Sequence, residues 1–479
     1  MRNTDFEQQL ARVIRQKLEG KLLSCEQLSG GASQETYCLE VELENTGKTK
    51  LALRRAPVVL AETENPERAG IRGEVSLIRA AYKAKVPVPN IILAFEAEDN
   101  LGEGFIMQWL EGETLGARIV RAENLATIRP KLAYQCGQAL ARIHRIDLHA
   151  TSLNTLLQTV SPAESVNTMW ETYKELATPQ PMIDYTARWL KQNLPDKSQS
   201  ALVHGDFRNG NLMINSNGIC AVLDWELAYI GDPMRDLGWL CTNSWRFGVA
   251  DLAVGGFGAR ADLFQGYEDA CGIRPNEEHV KFWEVFGSYW WAIACLGMAN
   301  QNRSATQKSV ERPGIARRTS ECQIDCVNLL IPGNIEIEQP GTNPSSTELP
   351  RTDELLESVS AFLRDEVMQV TSGRTNFMSR VAANSLDIVQ RDLKIGVLAR
   401  AAEKKRLSQL LNLDTNLEAM RWTLVERIRS NELAPDNTDL IIHLRTTVAN
   451  QVAIDQPRYS GLKTALKKTR KKTGKKAEK

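Results

Sequence analysis

Apolar residues recur at two different periods along this chain, and the change from one to the other outlines its organisation. Phe6, Leu10, Val13, Ile14 and Leu18 return every three or four residues, the spacing of a helix with one buried face. Short β-type segments follow at Lys21 to Leu28, Thr36 to Leu43 and Thr49 to Arg55, and the last two are joined by Asn45-Thr46-Gly47-Lys48, which suits a hairpin turn. A helical segment from about Ala69 to Lys83 comes next. After Val86-Pro87-Val88-Pro89, two more strand-like pieces run from Ile91 to Glu96 and from Gly104 to Trp109. Five strands and one inserted helix predict a small antiparallel α+β lobe over residues 1–111. Beyond Gly112 the period lengthens: Arg129 to His144, Pro162 to Leu176 and Ile183 to Leu194 read as helices. They predict a mainly helical lobe over 112–331, broken by one irregular island between Leu202 and Asp236.

The stretch 332–350 is rich in Pro, Gly, Asn, Thr and Ser and has no apolar periodicity, as a linker would. Helical spacing then resumes at Leu355, Leu356, Val359, Phe362, Leu363 and Val367, at Leu417, Met420, Leu424 and Ile428, and at Leu440, Ile441, Leu444, Val448 and Val452. This predicts a separate all-helical domain of about four helices over 351–460. The most apolar run, Phe282 to Ala299, contains Glu284 and several Gly and Ser. It reads as a buried helix, and no membrane span is expected.

Composition adds less than its distribution. The 479 residues are 42% hydrophobic and 25% charged, with 59 basic and 59 acidic side chains. That is ordinary globular composition. The zero balance is misleading, because 461–479 carry nine Lys or Arg and one Glu, which leaves the rest of the chain at −8. This low-apolar tail is predicted to be disordered, and since no base-reading motif accompanies it, nucleic-acid binding is not the expected role. Nine Cys without regular spacing do not read as a disulfide framework. With no charged-then-apolar leader visible, a cytoplasmic location is expected. Cys322 and Cys326 could share a helix face, but no second Cys or His pair follows to complete a metal site.

Chemistry concentrates in the island. Leu202-Val203-His204-Gly205-Asp206-Phe207-Arg208-Asn209-Gly210-Asn211-Leu212 starts apolar, breaks at Gly, and sets an acid and an amide five residues apart. Two β-type runs follow around Asn217-Gly218, and the second ends in Asp224-Trp225-Glu226, so two acids and an amide meet at one end of a short hairpin. Phosphoryl transfer to a hydroxyl needs such a set: one carboxylate to accept the proton, and an amide with a second carboxylate to hold Mg²⁺ on nucleotide phosphates.

His204-Gly205-Asp206 with Asn211 reproduces the Asp-to-Asn interval of protein kinases. With Asp224-Trp225-Glu226 it resembles the aminoglycoside phosphotransferase-like family, small-molecule kinases with a protein-kinase-like two-lobed fold that include choline and homoserine kinases. The resemblance runs from about Leu22 to Leu330. It implies Asp206 as catalytic base, Arg208 as a phosphate contact, and Asn211 and Asp224 as Mg²⁺ ligands, with His204 supporting the loop. It also implies that Gly30, Gly31 and Ser33, in Ser29-Gly30-Gly31-Ala32-Ser33, form a lid over the phosphates of ATP, with GTP as an alternative nucleotide. Where the family carries a phosphate-binding Lys, the aligned residue is Arg54, with Glu74 as its helix partner. A guanidinium can bridge two oxygens, but it is longer and differently shaped. The Met107 to Gly112 segment corresponds to the adenine-holding connection between lobes.

Asp232 and Asp236 read as helix-start residues and His144 as a core-edge helix residue. Trp239, Trp245, Trp283, Tyr289, Trp290 and Trp291 read mostly as core, with an acceptor pocket as the other possibility. Leu53-Arg54-Arg55-Ala56-Pro57 and the His204 to Arg208 run most resemble the kinase-like module fused to, or encoded beside, acyl-CoA dehydrogenases. This implies a small-molecule hydroxyl substrate, a hydroxyacyl-CoA or related hydroxy acid, with acyl-CoA-metabolising enzymes as partners. The alternatives are an aminoglycoside or other small-alcohol kinase, or a non-catalytic nucleotide-binding scaffold. The C-terminal part resembles an uncharacterised helical domain that can follow such phosphotransferases.

Overall fold

Residues 3–28, 34–56, 69–196, 199–335, 337–339 and 350–474 are described by the computed structural model. The alternating segments form β1 (Gly20–Gln27), β2 (Glu35–Leu43), β3 (Gly47–Arg55), β4 (Ile91–Ala94) and β5 (Gly104–Gln108). They make one antiparallel sheet in the order β1-β2-β3-β5-β4. β2 and β3 pair from Glu35 opposite Arg55 to Leu43 opposite Gly47, and Gly47 takes the left-handed φ of +68° that closes the hairpin. Alternation then assigns faces. Tyr37, Leu39, Val41, Leu51 and Leu53 bury one face against Phe6, Leu10, Val13 and Ile14 of the Asn3–Lys17 helix. Arg55 points to that side, its guanidinium 3.7 Å from the Phe6 ring centre, whereas Ala52 and Arg54 face the opposite way, into the space between lobes.

The helix Gly70–Lys83 buries Ile71, Val75 and Ile78 and carries Glu74 inward with them. In the second lobe the apolar run belongs to a 28-residue helix, Glu277–Ser304, started by Asn276, whose side chain accepts the amides of Glu278 and His279. Phe282, Trp283, Phe286 and Tyr289 of this helix lie in the core. Among the described residues no helix is long and apolar enough to cross a membrane. Two short strand pairs, Ala201–Val203 with Tyr229–Gly231 and Leu212–Asn215 with Gly218–Val222, frame the island.

The C-terminal segment contains the helices Thr352–Phe362, Gly373–Arg391, Val397–Leu411, Leu417–Arg429, Thr438–Asp455 and Ser460–Gly474. Met420, Leu424, Ile428, Leu440, Leu444 and Val452 share one hydrophobic cluster with Met182, Tyr185, Ile324 and Val327 of the helical lobe. Ile335, in the stretch read as linker, and Ile331 just before it join that cluster as well. Asp184 of the helical lobe, fully buried, is tied across the boundary to Arg429 at 2.6 Å and within its own lobe to the Tyr173 hydroxyl at 2.8 Å. Burial pushes its pKa up to about 6 against the pull of Arg429. The basic tail read as disordered from 461 is instead helical to Gly474: Leu462 and Ala465 bury one side in the shared core, which a count of apolar residues underestimates.

Candidate active site

The strand Ala201–Val203 delivers the chain into a turn that only glycine can make. Gly205 has φ +82°, and a Cβ there would lie 2.2 Å from the Leu227 carbonyl oxygen. The amides of His204 and Gly205 donate to the two carboxylate oxygens of Asp236, at 2.8 and 2.9 Å. Asp236 is fully buried, and it also accepts from His144 Nε2 at 3.1 Å, while the Tyr267 hydroxyl donates to His144 Nδ1 at 3.0 Å. Burial alone would raise the pKa of Asp236, but the His144 hydrogen bond and the backbone donors outweigh it and hold the carboxyl below its usual range. Asp236 and His144 are therefore the brace of the loop, a larger part than helix initiation or a core edge. Asp232 does start the Met234–Cys241 helix, accepting the Met234 amide at 2.9 Å, and it also holds Trp283 Nε1 at 3.0 Å.

The ring of His204 joins the two acid segments. Its Nε2–H donates to the Leu223 carbonyl (3.1 Å) and its Nδ1 accepts the Asp206 amide (3.2 Å). Both nitrogens are used in the neutral form, and burial pushes the pKa below the ordinary histidine value. Asp206 is held from three directions. Arg208 Nε and Trp239 Nε1 each donate to Oδ1 at 2.8 Å, and Asn211 Nδ2 donates to Oδ2 at 2.6 Å. The Leu223 amide donates to the Asn211 carbonyl at 2.8 Å, which ties the loop to the strand leading into Asp224.

Asp224 adopts the left-handed φ of +64°, unusual for a residue with a side chain, and turns its carboxylate to Arg54 Nη2 at 2.7 Å. Arg54 Nε lies 3.2 Å from Glu74 Oε1 and also donates to Gln34 Oε1. Burial pushes the Glu74 carboxyl up to about 7, Arg54 opposes this, and the nearby Asp224 charge adds to it. For Arg54 burial works downward, yet the carboxylates of Glu74 and Asp224 prevail and raise its pKa. Arg54 thus pairs with Glu74 as the sequence implied, and it reaches Asp224 as well. Gly30, Gly31 and Ser33 lie outside the described residues.

This ion-pair network closes one end of a cavity of about 490 Å³ between the sheet and the Leu212–Val222 hairpin. Ala52, Ile78, Phe105, Met107, Met213 and Val222 make its apolar walls, and the connection Gln108 to Gly112 runs along its edge. An apolar cavity with a charged inner end has the chemistry that a nucleotide needs.

On the other side of Asp206 the surroundings are aromatic. The Arg208 guanidinium lies 4.4 Å from the Trp245 ring centre. Trp245 packs on Trp239 at 5.1 Å and on Trp291 at 5.5 Å, and Trp290 meets Trp239 edge-on at 5.5 Å. Trp283 and Tyr289 are buried in the core. Trp239 is the residue that motif reading missed: it donates directly to Asp206 from a helix 33 residues downstream, and its only signal was membership of an aromatic-rich stretch.

A family model described as the phosphotransferase enzyme family (APH) matches residues 24–273, just over half of the chain, and a model described as a domain of unknown function (DUF6285) matches residues 369–459. The chain is 31% identical over 224 residues to acyl-CoA dehydrogenase family member 10 of Mus musculus, a match covering 45% of this chain and 20% of that protein. It is 30% identical over 226 residues to acyl-CoA dehydrogenase family member 11 of Gallus gallus, covering 45% and 27%. The chain thus spans about a fifth to a quarter of the length of these curated relatives. Its fold resembles the crystal structure of a Ralstonia eutropha JMP134 protein provisionally designated an aminoglycoside phosphotransferase, with a TM-score of 0.55 and 24% identity over 67% of this chain and 97% of that one.

Proposed function

Since the chain belongs to the phosphotransferase enzyme family, we propose that it transfers the γ-phosphoryl group of ATP to a hydroxyl of a small molecule. The observation that carries this reading is Asp206, a carboxylate held by three donors and tied through His204 and Asn211 to the Leu223–Asp224 segment that lines the cavity. In this reading Asp206 orients the acceptor hydroxyl and takes its proton as the oxygen attacks phosphorus, while the bond to the bridging oxygen breaks and ADP leaves. Arg54, kept in place by Glu74, faces the phosphates, and Arg208 faces the charge that develops beside Asp206.

The donor set fits Mg²⁺, which takes one or two protein oxygens and leaves its other positions to water and phosphates. Asp224 lines the cavity, and Asn211 has its amide nitrogen bonded to Asp206, which leaves its side-chain oxygen as the atom that could ligate. These two residues would hold the ion. When bound, it supplies charge neutralisation on the β- and γ-phosphates. The cavity edge is a backbone connection, so GTP is an alternative to ATP.

A hydroxyacyl-CoA or related hydroxy acid is the acceptor class this reading favours. The wall beside Asp206 is indole with two guanidiniums on it, Arg208 over Trp245 and Arg235 over Trp239, suited to an apolar chain bearing negative charge. A polycationic aminoglycoside needs free acids there, and buried Glu284 is already shared by Arg246 and Arg260. The curated relatives carry acyl-CoA dehydrogenase in their names, which supports acyl-CoA enzymes as partners. The nine unpaired cysteines suit a reducing, cytoplasmic location. One observation favours a second reading, nucleotide binding without transfer: Arg54 occupies a carboxylate oxygen of Asp224. ADP release by purified protein with ATP, Mg²⁺ and a panel of hydroxyacyl-CoAs and aminoglycosides decides among these. Turnover with hydroxyacyl-CoAs, lost in Asp206→Asn, is expected. Turnover with aminoglycosides alone overturns the acceptor class, and no turnover with any acceptor leaves the second reading standing.

A further inference from the structure

The aromatic wall has a support that the catalytic motif does not contain. Trp245 ends the short turn Asn243–Trp245, which follows the helix carrying Trp239. Its ring lies under Arg208, and its carbonyl accepts Asn209 Nδ2 at 3.2 Å. At the start of the same turn, Asn243 Nδ2 donates to Asp325 Oδ1 at 2.7 Å. The remaining partners of this pair come from the far end of the chain: the Ser460 hydroxyl donates to Asn243 Oδ1 at 3.2 Å, and the Tyr459 hydroxyl donates to Asp325 Oδ2 at 2.6 Å. Two further features hold that segment in place. Asn328 Nδ2 donates to the Gly461 carbonyl at 2.9 Å, and a Cβ at Gly461 would stand 2.6 Å from Asp325 Oδ1, so the close approach needs glycine. Asp325 and Ser460 are both buried.

We propose that Tyr459 and Ser460 are positioning residues for the acceptor side of the active site: through Asp325 and Asn243 they set the Trp245 turn, and through it Arg208 and the Asp206 loop. The inference rests on Asp206 and Arg208 being the transfer site. Each step is a hydrogen bond or a ring contact between buried or half-buried groups, where an unpaired polar atom is costly and a shift of one group displaces its neighbour. None of Asn243, Trp245, Asp325, Tyr459 and Ser460 lines the nucleotide cavity, so the effect is expected to fall first on the acceptor.

The test uses the full chain carrying Tyr459→Phe, Ser460→Ala and both together, with Ser460→Thr to restore the hydroxyl. Tyr185→Phe is the control: it removes a hydrogen bond to the Pro435 carbonyl at the same boundary, with no link to Asn243. With 3-hydroxybutyryl-CoA as acceptor, the double variant is expected to raise the acceptor KM roughly tenfold with the ATP KM within about twofold of the parent. Amide exchange over 243–247 and 207–211 is expected to quicken, while β1–β3 stay unchanged. Ser460→Thr and Tyr185→Phe are expected to match the parent in every readout. The proposal is overturned if the two KM values move together, if neither moves, or if Tyr185→Phe reproduces the effect. Should the parent not phosphorylate this acceptor, that acceptor assignment fails, and the exchange measurement alone decides the positioning role: unchanged exchange over 243–247 overturns it.

Discussion

The two sides of Asp206 are built on different principles. Toward the nucleotide cavity stand three charged groups, Arg54, Glu74 and Asp224, from a strand, a helix and a left-handed turn, each compensating the others in a poorly hydrated place. Toward the proposed acceptor stand two guanidiniums, Arg208 on Trp245 and Arg235 on Trp239, and a set of indoles braced by distant helices. Phosphate presents the same charge in every reaction, so a few fixed groups suffice, and their spacing is constrained. An acceptor is recognised by shape and apolar contact, which many packings can supply. Under the proposed function, the first side carries the reaction class and the second the substrate choice.

Asp206→Ala should break that division most severely, lowering transfer roughly 10²- to 10⁴-fold with ATP affinity nearly intact. Initial rates of ADP release beside calorimetric ATP binding would check it, and a matching loss of ATP affinity would mean that the two sides are not separable. Arg54→Ala should cost the charged side about 1.5–3 kcal/mol of nucleotide affinity and leave Glu74 buried without its cation, its pKa higher still. Arg54→Lys keeps the charge and should retain most of the affinity in the same titration. On the other side, Trp239→Phe keeps a ring but removes the N–H on Asp206 Oδ1, and kcat should fall roughly tenfold with ATP KM unchanged. An equal change in both constants would place Trp239 in general stability instead.

The smallest effect concerns stability. Burial pushes the Asp325 pKa up to about 7, with Tyr459 and Asn243 pulling the other way. The unfolded chain has released this proton above about pH 4, while the folded chain keeps it until about pH 7, so stability should decline as pH rises through that window, on the order of 1 kcal/mol per unit. Asp325→Asn, neutral throughout, should flatten this part of the thermal-unfolding profile. An unchanged slope would show that Asp325 is ionised in the fold.

Much of the charged side was legible because its signals are local. The interval from Asp206 to Asn211 and the run Asp224-Trp225-Glu226 lie within 21 residues of one island. Arg54, aligned through the family resemblance, lines the cleft, on the face that strand alternation gives it and not Arg55. The brace is different: His144, Asp236 and Tyr267 are scattered across the helical lobe, and nothing in their neighbourhoods marks them as partners. The shared core was hidden for the same reason. The patterns of 417–428 and 440–452 announce helices with buried faces but do not name what buries them.

By itself, then, the sequence determined the elements, the faces they bury and the chemistry carried by closely spaced groups, because backbone periodicity and short loops translate spacing directly into geometry. The tertiary structure alone decided that Trp239 reaches Asp206, that Asp236 anchors the loop, and that Tyr459 and Ser460 come to rest behind Trp245. Those contacts depend on how whole helices pack, and packing is set by the summed fit of many side chains, which no single stretch of sequence contains.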